Sequence, residues 1–253
     1  MDDDIRFANP CDEHHPYSDP KARSVALQIV QDHDPHIMTA GSDGMDFYSL
    51  SRFDKDPKRA IINNLDVEKD VWQKAQREWN DAAPNASFYY IKGNHEDRLI
   101  KYQKRHPEIW GLEALKFPNF FGLSDLGIRM AKNNEIVIEG QIVIKHGSIV
   151  RKHSAYTAKA ELEKEAYSIT TLTGHTHRGG VSYKTTRGGL FAGFEGFCLC
   201  DLNPGYTKSP DWQQGIVIGT CNKSWKFPQI EPIPFWHKGK DVFAVWRDKM
   251  YKS

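Results

Sequence analysis

The sequence predicts an α/β fold, and two observations carry that expectation. Compact β-prone runs each end in a polar loop beside a glycine or a turn, and amphipathic helical stretches lie between them. Four of those loops, Asp12-Glu13-His14, Asp43-Gly44-Met45-Asp46, Gly93-Asn94-His95-Glu96 and Gly174-His175-Thr176-His177, are rich in carboxylate, imidazole and amide groups. His146-Gly147 lies between the third and the fourth. Strand ends can aim several such ligands at one point.

The elements follow in order. After the first loop, residues 24–31 have Val25, Ala26, Ile29 and Val30 on one helical face, with Pro20 near the start. A second helix is expected from about Asp66, as its cap, to Asp81, with Val67, Val71, Trp72, Ala75 and Trp79 as a core-facing stripe. Residues 87–92 form a β-prone run ending at Gly93, which puts Asn94 and His95 on the loop after a strand, where chemistry is often placed. Runs at 135–138 and 141–144 flank Glu139-Gly140 as a hairpin leading into His146. A helix rich in Ala, Glu and Lys is expected at about 154–166, ending near Ala166, and a strand at 169–172 delivers the His175 and His177 loop. Further strands are expected at 181–185, 196–202 and 215–221. The stretch 225–253 holds Trp225, Phe227, Phe235, Trp236 and Trp246, which suits packing as a closing flap more than contact with a partner.

At 253 residues with 39% hydrophobic content, the chain can bury a full core, most simply as one domain spanning 1–253. Within it, an insertion is expected at about 98–129 and an aromatic C-terminal extension at about 225–253. Lys+Arg 34 against Asp+Glu 33 gives a formal charge of +1, which argues against a strongly basic nucleic-acid binder but leaves local patches and phosphate-bearing substrates open. No apolar run approaches the ~20 residues of a membrane helix, and the start is acidic where a secretory signal is basic, so the expectation is a soluble cytoplasmic protein with no membrane partner. Cys11, Cys198, Cys200 and Cys221 do not make a disulfide scaffold. Cys198-Leu199-Cys200 reads as part of an apolar strand without a second thiol pair for zinc, so the thiols are expected to be buried and free.

Phosphoester hydrolysis is slow because anionic oxygens repel the nucleophile and the leaving group departs as an alkoxide. Two cations roughly 3.5–4 Å apart answer both difficulties, provided a carboxylate bridges them. Carboxylates mixed with imidazoles suit manganese, iron, zinc or nickel better than calcium.

In chain order, D-x-H, D-x-x-D, G-N-H-E, H-G and G-H-T-H resemble the motifs of the calcineurin-like metallophosphoesterases, from about Asp12 to His177. His14-His15-Pro16-Tyr17-Ser18-Asp19-Pro20-Lys21-Ala22 and Asp46-Phe47-Tyr48-Ser49-Leu50 also resemble the phage and prophage branch of that family, which would make the protein phage-encoded and active in a bacterial host. The resemblance implies a four-layer αββα sandwich, two mixed β-sheets flanked by helices. It implies two divalent metal ions, manganese first among them: Asp12, His14 and His177 at one, Asn94, His146 and His175 at the other, Asp43 bridging. A metal-bound hydroxide would attack phosphorus. His95 would stabilise the phosphoryl oxygens or protonate the leaving group, with Asp46 orienting its imidazole.

The chain departs from the family at Gly41-Ser42-Asp43, where glycine usually stands directly before the bridging aspartate. Arg6, Asn9, Pro10 and Cys11 before Asp12, and His36 and Thr39 before Gly41, are also polar for buried parallel strands. Taken singly, Asp12 with His14 could be a surface turn, His175 with His177 a solvent pair, and Asn94 a helix cap.

The motifs leave the substrate open. Phe47-Tyr48 after Asp46 replaces the Arg-Gly of the protein serine/threonine phosphatases, which disfavours that branch. Lys101, Tyr102, Lys104, Arg105, His106, Trp110, Phe117, Phe120 and Phe121 mix cations with aromatics, which suits stacked bases and phosphates or, equally, a small subcore. Arg151, Lys152 and Arg178 could clamp a phosphate or form a solvated rim. The favoured reading is a phosphodiesterase acting on DNA, RNA or nucleotides. The alternatives are a phosphomonoesterase and, in another class, a noncatalytic metal- or partner-binding module.

Overall fold

The computed structural model describes residues 4–52, 64–165, 168–204 and 210–253. In its first strand, β1 (Asp4–Asn9), the neighbours Phe7 and Ala8 are both fully buried yet enter different apolar clusters. Successive side chains of a strand leave on opposite faces, so a strand buried on both sides lies in an inner layer. The same alternation recurs in β10 (Gly215–Asn222), with Ile216 and Ile218 on one face and Val217 and Cys221 on the other.

These strands are central in a six-stranded sheet ordered β11 (Gln229–Pro234), β10, β1, β2 (Ile37–Gly41), β3 (Ser87–Ile91) and β4 (Ile128–Met130). Strands β1 to β4 run parallel, while β10 is antiparallel to both its neighbours, β1 and β11. A five-stranded sheet follows the order β5 (Glu135–Ile138), β6 (Ile142–Lys145), β7 (Thr170–Thr173), β9 (Gly189–Gly196) and β8 (Gly179–Thr186). Its β6, β7 and β9 are parallel and its edges antiparallel. Phe7, Ile91, Ile144, Leu172, Phe194 and Val217 form one cluster between the two sheets.

The outer face of the first sheet is covered by α1 (Pro20–His33) and α2 (Leu65–Ala82), whose Val25, Ile29, Trp72 and Trp79 join Met38 and Tyr90. On the outer face of the second lies α5 (Tyr156–Lys164). Gly193 in β9 permits that approach: a Cβ there would stand 2.2 Å from the Ala158 carbonyl oxygen. Helices on both faces of two mixed sheets make the expected α/β sandwich. A three-stranded sheet, β12 (Trp236–Lys238), β13 (Asp241–Trp246) and β14 (Lys249–Lys252), packs on α1, where Tyr251 Oη donates to Asp32 Oδ2 at 2.7 Å. The aromatic 225–253 stretch therefore packs through Phe235, Trp246 and Tyr251 and also supplies β11, although Trp236 is 42% exposed.

Several local expectations need correction. Helix α2 is capped by Asn64, whose side chain accepts from Val67 N, while Asp66 lies in the first turn. Trp72, Ala75 and Trp79 are buried as expected, but Val67 and Val71 are exposed, because each stands one residue, about 100° round the helix, from the buried face of Glu68, Trp72, Ala75 and Trp79. The strand expected at 196–202 is instead β9, ending at Gly196; Cys198 and Cys200 follow it on isolated bridges to Gln214 and Ser18. Helix α5 ends at Lys164, and Ala166 lies outside the described residues. Over 98–129 the chain forms α3 (Asp97–Arg105), α4 (Phe117–Phe121) and short 3₁₀ turns. Phe121 is fully buried, its ring 4.8 Å from that of Trp72, and Phe117 and Phe120 pack on the same cluster, so the phenylalanines extend the main core and do not form a separate subcore, while Trp110 remains 56% exposed. No helix among the described residues is long and apolar enough to cross a membrane.

Candidate metal centre

The parallel strands β1, β2 and β3, and the parallel pair β6 and β7, deliver the five motif loops from their carboxyl ends, where ligand crevices of α/β sheets lie. The polar strands before the first two motifs are accommodated by pairing: Thr39 Oγ1 donates to Asn9 Oδ1 at 2.8 Å inside the sheet. Backbone bonds lace the loops together, from Asp12 N to Ser42 O (2.9 Å), His14 N to Asp43 O (2.9 Å) and Ser42 N to Ile91 O (2.6 Å). Asp12, His14, Ser42, Asp43, His175 and His177 all have φ between 51° and 74°. Left-handed backbone costs a non-glycine residue on the order of 1–3 kcal/mol and gathers where function requires it.

The side chains converge in two groups. Asp12, His14 and His177 form one, with His14 Nε2 3.0 Å from His177 Nε2 and His177 Nε2 3.5 Å from Asp12 Oδ1. Asp43, His146 and His175 form the other, with His146 Nε2 3.2 Å from His175 Nδ1 and 3.0 Å from Asn94 Oδ1. Asp43 Oδ2 faces both, 3.9 Å from His14 Nε2 and 3.4 Å from His146 Nε2. All seven residues that the sequence pointed to as metal ligands therefore meet in one place.

Electrostatics tests whether cations fit. Burial, reinforced by the charge of Asp43, pushes the Asp12 carboxyl well above the usual range, and burial pushes Asp43 up to about 7. Burial holds His14 at about 3 and His146 and His175 at about 4, so these rings are neutral, with lone pairs to donate. Two buried carboxyls stand among neutral imidazoles, and the neighbouring Arg98 guanidinium is already engaged by Asp46 at 3.3 Å, so a cation would supply the positive charge that the pair needs when ionised. The spacing agrees, since donors ~2.1 Å from one ion and at right angles stand about 3.0 Å apart. These groups could hold metal ions.

His95 lies beside the two groups. Its Nδ1 is 2.9 Å from the Asp46 carbonyl oxygen and 3.6 Å from Asp46 Oδ2, so the imidazole is oriented through the backbone of Asp46 more closely than through its carboxylate. The Asp46 carboxylate instead reaches His14 Nδ1 at 3.2 Å. Burial, together with the neighbouring His14, lowers His95 to about 2.

Three residues essential to this geometry carried no functional assignment from the sequence. Arg98 Nη1 donates to Asp46 O at 2.7 Å, and its Nη2 donates to His95 Nε2 at 3.1 Å. Its position three residues after His95, at a helix start, was the available signal. Glu96 is fully buried and accepts from Gly44 N (2.9 Å), Gly93 N (2.7 Å), Asp43 N (3.2 Å) and Tyr90 Oη (2.9 Å), locking the second and third loops together. Ser42 Oγ lies 2.9 Å from His146 Nδ1, so the residue directly before Asp43 holds the His146 imidazole in place.

Arg178, considered as a phosphate clamp, is buried and committed elsewhere. It donates to Arg151 O (2.7 Å) and Lys152 O (3.0 Å) and lies 3.5 Å from Glu195, which fastens the loop after His146. Arg151 and Lys152 keep exposed side chains. A cavity of about 560 Å³ opens beside Asn94, His146 and His175, lined also by Lys92, Lys164, Asp97 and Glu135.

No family profile matches the chain, and no curated protein does. Among solved structures, 90% of the chain aligns with 98% of the protein TT1561 of Thermus thermophilus, at 8% identity and a TM-score of 0.37. At that level of likeness the functional reading rests on the residues themselves, a set of His and Asp donors able to hold metal ions.

Proposed function

We propose that this protein hydrolyses phosphoesters with the help of two divalent cations, as a phosphodiesterase acting on nucleic acid or nucleotides. The observation that carries the reading is Asp43, a single carboxylate facing both donor groups, with His95 and Arg98 beside it. Asp12, His14 and His177 would hold one cation, and Asn94, His146 and His175 the other. Two such cations, manganese or another ion that accepts both oxygen and nitrogen, supply Lewis-acid polarisation and a water of lowered pKa.

The chain's own residues do the rest. Arg98 brings fixed positive charge to the face where phosphoryl oxygens gain charge, and a guanidinium matches those oxygens well. His95 donates from Nδ1 to the Asp46 carbonyl and accepts at Nε2 from Arg98, so a leaving oxygen would exchange a proton with Nε2 only by taking the place of Arg98 there. The cavity mixes Lys92 and Lys164 with Asp97 and Glu135, a lining that favours a singly charged diester over a dianionic monoester and leaves room beyond the donors for a second substituent. Exposed Trp110, near Lys104 and Arg105 in sequence, supports contact with stacked bases.

The test is hydrolysis of bis-p-nitrophenyl phosphate and p-nitrophenyl phosphate by metal-stripped protein reloaded with manganese, beside Asp43→Asn. Diester turnover that requires both manganese and Asp43 supports the proposal. Turnover of the monoester alone replaces it with a phosphatase. In His95→Ala, lost turnover with unchanged metal content marks a catalytic group, whereas partner binding without turnover in the unaltered protein marks a noncatalytic module.

A further inference from the structure

Behind the first donor group lies a set of ligands that the hydrolytic reading does not use. Cys198 and Cys200 follow β9, are buried and free, and offer Sγ atoms within 4.8 Å of each other and of a ring nitrogen of His177. Cys200 Sγ is 3.6 Å from His177 Nδ1. The two nitrogens of His177 therefore face different chemistry: Nε2 meets His14 and Asp12, and Nδ1 meets sulfur. A metal-bound histidine ordinarily donates its other N–H to a carboxylate, a carbonyl or water. Here, among the described residues, the partner of Nδ1 is a thiol.

We infer that Cys198, Cys200 and His177 Nδ1 form a site for a soft divalent cation of the zinc or cadmium kind, distinct from the carboxylate-bearing groups in front of it. Thiolates select soft ions, whereas Asp12 and Asp43 select harder ones, so the two sides of His177 sort cations by ligand type. The spacing fits, because sulfur at ~2.3 Å and nitrogen at ~2.0–2.1 Å from a tetrahedral ion stand about 3.6 Å apart. Charge fits as well: two thiolates neutralise a dication, which lets the complex occupy a buried pocket at low cost. In the metal-stripped protein each thiol releases its proton to solvent, the His177 ring keeps its one proton on Nε2, two metal–sulfur bonds and one metal–nitrogen bond form, and no atom changes oxidation state; with a cation also on Nε2, that ring proton would leave to solvent too and His177 would bridge as an imidazolate. The Gln213 carbonyl oxygen, 3.5 Å from Cys198 Sγ, completes the polar surroundings, and the Trp212 ring packs on His177 with centroids 4.2 Å apart.

The experiment is a titration of reduced, metal-stripped protein with cadmium chloride, read by thiolate-to-cadmium charge-transfer absorption in the ultraviolet. The band is expected to saturate at one equivalent, to vanish in Cys198→Ser and in Cys200→Ser, and to persist in Cys221→Ser. X-ray absorption of the cadmium-loaded, unsubstituted protein is expected to show two sulfur neighbours, a result that needs no variant to fold. Absence of the band, its survival in the doubly substituted protein, or a cadmium shell without sulfur overturns the assignment. None of these readouts uses turnover, so the site stands or falls separately from the hydrolytic function.

Discussion

Gly93→Ala is the sharpest probe of the centre, because Gly93 lies against the carboxylate that faces both donor groups. A Cβ at that position would stand 2.0 Å from Asp43 Oδ1, 2.5 Å from Asp43 N and 2.6 Å from Asp43 Cγ, where ordinary contact begins at 3.4 Å. The carboxylate must therefore retreat by about 1.4 Å. It is not free to swing, since Oδ1 accepts from His95 N at 2.8 Å and the Asp43 amide donates to Glu96 at 3.2 Å. A misplacement of ~1 Å costs roughly 10²-fold in rate, and overpacking costs about 1–3 kcal/mol in stability. The variant should remain folded, lose about a hundredfold in manganese-dependent diester turnover and bind less metal, as read by turnover, metal content and urea denaturation. Gly188→Ala is the control: its nearest neighbour would be 3.5 Å away, and its stability should change by no more than ~0.5 kcal/mol. Undiminished turnover and metal content in Gly93→Ala would refute the idea that Asp43 must stay where the structure holds it.

Ser42→Ala removes the hydroxyl 2.9 Å from His146 Nδ1, and loss of such an orienting contact should weaken metal binding about 10–100-fold, measurable by competitive chelator titration. Arg23→Met leaves Glu13 buried without its 2.8 Å guanidinium partner, which should destabilise the fold by about 3–5 kcal/mol in urea; a loss below ~1 kcal/mol would contradict the pairing. Manganese at a hundred times its dissociation constant should raise unfolding stability by about 2.7 kcal/mol for each site, and chelator should reverse the gain. In Asp43→Asn that metal-dependent stabilisation should shrink, and an unchanged gain would place the metal elsewhere.

The sequence shows the fold class where its physics is local. Residues 87–91 are strand-forming without help from distant residues, and the Glu139-Gly140 turn forces its flanking strands to pair, so both are recovered almost residue for residue. Helix α1 is legible in the same way, from an apolar face behind a proline, with the Asp19 cap adding detail. The donors are legible because carboxylates, imidazoles and an amide recur beside glycines at strand ends.

What the sequence could not supply depends on contacts between residues far apart in the chain. Arg98 and Glu96 look like ordinary helix-start charges until the fold sets them against Asp46 and Asp43. Arg178 reads as a free cation beside His177, yet packing buries it on the carbonyls of Arg151 and Lys152. Cys198 and Cys200 resemble a plain apolar strand, and only the closure of the second sheet brings them to His177. The sequence by itself determined the class of fold and the chemical types of the donors, because periodicity and residue identity are properties of neighbours. Which atom faces which was decided by tertiary structure alone, since that depends on how two sheets pack across more than a hundred residues of chain.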